Sequence, residues 1–440
     1  MTFGIDLGTT NSIIGYGEDL FSGLVSSNVD IVRGKQVTRD TVGDDIVSSY
    51  KINMSTENSG KTSIQCSSVI LRELADMATR RSGEECKDVI ISVPFYFSHI
   101  QREAVVEAAK LAGLTCKGLI NEPTAAALYT CSNIRDLVIV YDLGGGTFDV
   151  SIVDSRVNGY QVVATDGIVL GGDDLDNALV KDVIDTCRIP LRFQTPMFRK
   201  KLKSVVRLAK EEIQKTQSNV HVDLSELGVG DISYVLTVKK YVSLVEAVFG
   251  VTIEMTQQLI MSNLSDNEHP KITYVGGSSN CPFLRDIIRD QLELEEVSSD
   301  VSPDYTVAKG VAYYAKLFDD GVIEGFVSDV TKRLSIEDKC GKTIQIIANN
   351  TTIPCSGSIL VHNSDKSDEL RLRLYQGDSI LAANNDYVGT MKYRFDRVLE
   401  PGEAYVEVTV NVDRNGVILL SAEDLSLNSD KQEVELVLHG

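Results

Sequence analysis

Two aspartates, Asp6 and Asp142, each end an apolar run and precede the same Leu-Gly pair, in FGIDLGTTNSIIG (3–15) and VIVYDLGGGTFDVSIV (138–153). In the second copy Gly144, Gly145 and Gly146 interrupt strand-forming residues. Each glycine weakens an extended segment by roughly 0.5–1 kcal/mol, so something must come close to this backbone. Backbone N–H groups without side chains in the way form a nest that binds anions, and Thr9, Thr10 and Thr147 add hydroxyl donors. Asp6 and Asp142 repel a bare phosphate, but a hard divalent cation between carboxylate and phosphate oxygens reverses the sign. The chemistry implied is that of a magnesium polyphosphate. One such hairpin is as readily a plain turn; two copies point to a duplicated fold whose turns face each other across a cleft. A third glycine turn, GGSSNCPFLRDII (276–288), follows the strand-like ITYV and opens a helix, whose first amides can meet an anion or a ribose, or simply connect strand to helix.

The elements around these turns are legible from their punctuation. Ser98 and Gln101 form a capping box for an amphipathic helix through Leu111 that Gly113 closes. Glu122-Pro123 opens the alanine-rich TAAAL, which places the glutamate at a helix entrance, where it is either a plain cap or a site carboxylate. With 440 residues, 43% of them hydrophobic, the chain can build two or three cores. Its formal net charge of -20 argues against nucleic acid as a main partner. The eight cysteines lie far apart without a C-x-x-C pair, which fits reduced thiols in a cytoplasmic setting. The N-terminus lacks a basic, then apolar, leader, and no window approaches eighteen uncharged apolar residues, so neither a cleavable signal nor a membrane span is expected.

Taken in order, IDLGTTNS (5–12), VPFYFSHIQREAVVEAAKLAGL (93–114), INEPTAAAL (120–128), YDLGGGTFDVSIV (141–153), LGGDDLD (170–176), YVGGSSNCP (274–282) and VSPDYTVAKGVA (301–312) resemble the seventy-kilodalton heat-shock chaperones of the DnaK type. That resemblance implies an α/β fold: a duplicated actin-like (ribonuclease-H-like) nucleotide-binding domain over 1–320, with lobes of about 1–137 and 138–320. It further implies a linker at 321–329 and an antiparallel β-sandwich over 330–440. The expected cofactors are ATP or ADP with Mg2+. By the same resemblance Asp6, Gly8, Thr9, Thr10, Asn11, Asp142, Gly144, Gly145, Gly146 and Thr147 belong to the phosphate and metal turns, with Asp6 and Asp142 on the metal. Glu122 and Asp149 position the metal shell and the attacking water, Gly171 and Gly172 form a further phosphate-side turn, and Lys210 contacts the ribose. Gly276, Gly277 and Ser278 form the adenosine turn, with Asp304 behind it. The implied activity is weak ATP hydrolysis coupled to capture of exposed apolar polypeptide, helped by a J-domain co-chaperone or a nucleotide-exchange factor.

Several positions depart from that pattern. Glu211 and Asn280 stand where arginines are usual in the base pocket, and Arg207 and Gln214 replace a glutamate and a serine, which weakens ATP binding by one or two decades. The segment before VPFYF is short, and the family's catalytic lysine has no secure counterpart; Arg33 or Lys35 could substitute, though each reads more readily as a solvated surface charge. From Leu370-Leu372-Leu374 and Val406-Val408-Val410-Val412 onward the texture alternates, and Asn415-Gly416 marks a hairpin. In the sandwich so implied Ile336, Val361, Leu370 and Leu372 either line a peptide pocket or form the core, and Lys339 and Ser364 open its cover. The linker offers Phe326 and Val327 as its obvious apolar contacts, and no helical lid is expected after the sandwich. These departures keep open a second reading, a non-cycling partner of another chaperone or of the ribosome with ATP as a structural ligand. An actin-like or sugar-kinase relative is a third, against which the sandwich counts.

Overall fold

Residues 1–39, 41, 43, 45–54, 59–131, 135–156, 159–229, 232–297, 301–322, 327–425, 432–434 and 436–437 are described by a computed structural model. The opening apolar run forms β1 (Thr2–Leu7), which turns through Gly8–Thr10 into antiparallel β2 (Asn11–Tyr16). After helix α1 (Ser59–Ser82), strands β3 (Asp88–Val93) and β4 (Thr115–Asn121) join in parallel, giving the order β2-β1-β3-β4 with the short Asp19–Leu20 beyond β2. A parallel pair needs a crossover, here α2 (His99–Leu111). Its expected capping box is present: the Ser98 hydroxyl accepts from the Gln101 N–H while the Gln101 side chain accepts from the Ser98 N–H at 2.9 Å. Gly113, in the left-handed region at φ +82°, ends the segment as expected. Helix α3 (Glu122–Thr130) starts directly at the end of β4.

The second half repeats the plan. Strands β5 (Leu137–Leu143) and β6 (Phe148–Asp154) pair so that Asp142 lies opposite Asp149, and β7 (Tyr160–Ile168) continues the meander. Helices α4 (Gly172–Thr186), α5 (Pro196–Thr216) and α6 (Val238–Asn263) cover this sheet, and β8 (Lys271–Val275) pairs in parallel with β5. Leu179, Val183, Leu202, Val206, Tyr241 and Phe249 form one core with the sheet's Tyr141 and Phe148. Helix α6 is long and apolar enough to cross a membrane by length and composition, but Tyr241, Val245, Phe249 and Ile253 are buried in that core.

Two findings concern how the segments pack. Following α7 (Pro282–Leu292), helix α8 (Pro303–Asp319), grouped by sequence with the second lobe, returns to the first sheet. There a Cβ on Gly4 would sit 2.4 Å from the Val311 carbonyl oxygen, and one on Gly310 only 1.7 Å from that of Ala125. Backbones therefore touch at both crossings. Within the expected linker Phe326 lies outside the described residues, while Val327 begins β9 (Val327–Thr331). That strand pairs in parallel with β7, so part of the segment is sheet and not a loose connector.

The rest is antiparallel. Strands β10 (Leu334–Glu337), β11 (Thr343–Ile347), β12 (Thr351–Ile353), β13 (Cys355–Val361), β14 (Ser367–Gln376), β15 (Asp386–Leu399), β16 (Val406–Val412) and β17 (Ile418–Asp424) form two sheets, β11-β10-β14-β15 and β13-β16-β17, while β12 pairs with β9. The four alternating valines of β16 are all buried, as the period of two requires. Ile336 and Leu370 are buried in the same core, with Val361 and Leu372 half-buried at its margin; Lys339 and Ser364 are exposed. The protein is thus an α/β molecule of several sheets.

Candidate functional site

Between the two halves lies a cleft of about 350 Å³, within the size range of small-ligand sites. Its walls include Asp6, Gly8, Thr9, Thr10 and Asn11 from the first turn, and Asp142, Gly144, Gly145 and Thr147 from the second. Glu122, Gly172, Lys210, Gly276, Gly277, Ser278 and Asp304 complete the set read from sequence. Gly146, Gly171 and Asp149 are not on the wall.

The glycine turns touch one another, which is why they are glycine. A Cβ on Gly145 would meet the Thr10 hydroxyl at 2.0 Å, and one on Gly171 would lie 2.5 Å from the backbone of Gly145 and Gly146. Gly276, at φ +79°, packs against the Leu143 carbonyl and the Asp142 carboxylate. The Gly172 and Asp173 amides donate to the carbonyls of Gly144 (3.0 Å) and Gly145 (2.7 Å), and the Gly171 amide donates to Asp174 (2.8 Å). The 171–173 turn therefore braces the triple-glycine turn with amides already in use.

Sequence reasoning missed Lys51. Its ammonium donates to Glu122 Oε1 at 2.5 Å, is almost fully buried, and stands 5.6 Å from the centre of the Phe97 ring. The only signal was that a buried lysine needs a carboxylate partner, and nothing local pairs position 51 with 122. Arg33 and Lys35 are surface charges: Arg33 pairs with Asp30 at 3.6 Å on an exposed side chain, and Lys35 is exposed, both away from the cleft wall.

Lys51 faces an excess of negative charge. Burial, then Glu122, pushes Asp6 up to about 7, with Lys51 and the Ser92 hydroxyl (2.9 Å) opposing. Burial, then Glu122, likewise raises Asp142, and brings Asp149 to about 8. The Asp149 Oδ1 is buried without a protein partner. A donor set of buried carboxylates around a polar cleft, one oxygen orphaned, fits a divalent cation with its waters. Among the described residues no three such ligands gather as a protein-only cage, so phosphate oxygens and water would have to supply the remaining positions.

At the other end side chains dominate. Lys210 donates to the Gly172 carbonyl at 3.3 Å and pairs with Asp176 at 2.6 Å. Glu211 reaches across the cleft to Arg39 at 3.1 Å, Gln214 donates to the Tyr241 hydroxyl at 2.6 Å, and Asn280 donates to Asp304 at 3.1 Å.

The C-terminal sheets meet the cleft's back wall. Asp329 of β9 accepts from Asn121 (2.7 Å) and Thr124 (2.8 Å), the neighbours of Glu122. In the expected hairpin Asn415 accepts from the Leu119 amide (3.1 Å) and from Arg102 (3.2 Å), whose guanidinium also donates to Asn121 (2.6 Å).

Comparison with known proteins agrees with this arrangement. The family model for Hsp70 proteins matches residues 35–437. The chaperone protein DnaK of Mycoplasma mobile is 30% identical over 97% of this chain and 76% of its own length. That of Mycoplasma mycoides subsp. mycoides is 29% identical over 97% and 78%. With two glycine hairpins opposed across a cleft and the match running nearly end to end, the chain belongs to the Hsp70 family.

Proposed function

We propose that the protein is an ATP-hydrolysing chaperone in which nucleotide held between the two halves alters how the C-terminal sheets grip extended apolar polypeptide. In this reading residues 1–320 are a two-lobed actin-like nucleotide-binding domain and 330–440 a peptide-binding β-sandwich. The observation that carries it is the continuity of the seam: Asn121 and Thr124, flanking Glu122, bond to β9, the strand that leads into the sandwich.

The division of labour follows from position. The amides and hydroxyls of the two turns cradle the phosphates, and Asp6 and Asp142 would hold Mg2+. When bound, that ion supplies charge neutralisation for the phosphate oxygens. Lys51, fixed by Glu122, points its remaining donors toward the cleft where negative charge develops on phosphoryl transfer. Thr147 offers a hydroxyl at the turn, and Asp149, behind it, orients through a water. Lys51 supports turnover over the reading in which ATP is only a structural ligand. Candidate partners are unfolded segments, a J-domain co-chaperone and a nucleotide-exchange factor.

Reciprocity tests the proposal. If ATP and peptide are coupled, each changes the other's affinity by the same factor. ATP titrations with and without a saturating apolar peptide should differ several-fold; identical curves would remove the coupled cycle.

A further inference from the structure

Lys332 lies in the connector between β9 and β10, where the chain enters the C-terminal sheets, and its ammonium reaches back to the first half and donates to the Tyr96 carbonyl at 2.8 Å. Burial lowers its pKa, with Asp386, Asp149 and Asp166 opposing and Arg102 reinforcing the effect. A desolvated lysine costs stability wherever its place is only structural.

Tyr96 is the residue that makes the placement consequential. Its carbonyl shares a rigid plane with the Phe97 amide, which donates to the Pro94 carbonyl at 3.2 Å. Phe97 in turn sets its ring beneath the Lys51 ammonium. Arg102 steadies the flanks of this segment through the carbonyls of Phe95 (3.5 Å) and Phe97 (3.3 Å). The Tyr96 carbonyl is thus held from the C-terminal side, by Lys332.

We propose that Lys332 is a positioning residue for nucleotide turnover: by holding the Tyr96 carbonyl it fixes the Tyr96–Phe97 peptide plane and, through it, the ring that backs Lys51. The inference rests on the nucleotide reading of the cleft and identifies where the C-terminal sheets act on it. Because Lys332 touches neither phosphates nor base, its loss alters turnover and spares binding.

The full chain tests this by single-turnover ATP hydrolysis, ATP affinity and hydrogen exchange of β9 in Lys332→Met, Lys332→Gln and Lys332→Arg. Displacing catalytic groups by a fraction of an ångström costs about tenfold or more. Lys332→Met and Lys332→Gln should therefore slow hydrolysis about tenfold with ATP affinity and β9 protection unchanged, and Lys332→Arg should restore most of the rate. Unchanged hydrolysis in both neutral variants overturns the inference while leaving the coupled chaperone standing. Slower hydrolysis accompanied by lost β9 protection also overturns it, since Lys332 would then only dock the sheets. Absence of ATP binding in the unmodified chain overturns the nucleotide reading itself, and the inference with it.

Discussion

The two ends of the cleft are built from different materials. At the turn end the main chain is packed closely, Gly171 against the backbone of Gly145, Gly276 against that of Leu143, and Gly145 against the Thr10 hydroxyl. At the α5 end, side chains meet in pairs drawn from distant parts of the chain, Arg39 with Glu211 and Asn280 with Asp304. Such a cradle leaves little room for substitution: a Cβ on Gly171 or Gly276 enters another main chain, and one on Gly145 meets the Thr10 hydroxyl. An exposed ion pair such as Arg39–Glu211 contributes at most about 1 kcal/mol and tolerates replacement. On the proposed reading, the contrast separates what the cleft must do, bind phosphates, from what it can vary, its hold on the rest of the ligand.

The largest effect should come from the charge that serves the turn end. Lys51→Ala should slow ATP hydrolysis by about 10²–10³-fold with ATP affinity within a few-fold of the original, read by single turnover and titration. If hydrolysis persists, the turn end binds without acting. Gly145→Ala should come next: its methyl would stand 2.0 Å from the Thr10 hydroxyl, so ATP affinity should fall about 100-fold, roughly the 1–3 kcal/mol of overpacking. Retained affinity would show that the turns do not close on the ligand together.

A third experiment uses acid strength. Asp6 and Asp149 are raised from 3.8 to about 7 and about 8, so the folded apo protein holds protons that the unfolded chain has released. Their contribution to stability is complete below about pH 4 and is lost as pH rises through about 8. The apo melting temperature should fall by several degrees across that window, less steeply in Asp149→Asn, and magnesium with ATP should flatten the fall. A flat profile without nucleotide would mean that these carboxylates are not desolvated. The smallest effect belongs to the α5 end: Glu211→Gln should change ATP affinity less than about fivefold, in line with an exposed pair. A much larger change would make the two ends alike.

The same contrast explains what could be read beforehand. Gly144–Thr147 and Gly276–Ser278 were legible because a cradle made of successive amides is contiguous in the chain, and Ser98–Gln101 because a helix cap is local. Lys51 was not, since its partner Glu122 is fixed by the start of α3 seventy-one positions away. Nor was the return of α8 to the first sheet, which depends on Gly4 and Gly310 admitting a backbone, or the pairing of β9 with β7 in a segment read as linker.

By itself the amino-acid order determined the turns, the caps, the alternating C-terminal strands and the family, because each is written in neighbouring residues whose backbone preferences act over a few positions. Tertiary structure alone decided which cation meets Glu122, which helix covers which sheet, and that Lys332 reaches Tyr96. Those contacts join residues far apart in the chain, and a long-range pair is selected by the packing of whole sheets rather than by any local preference.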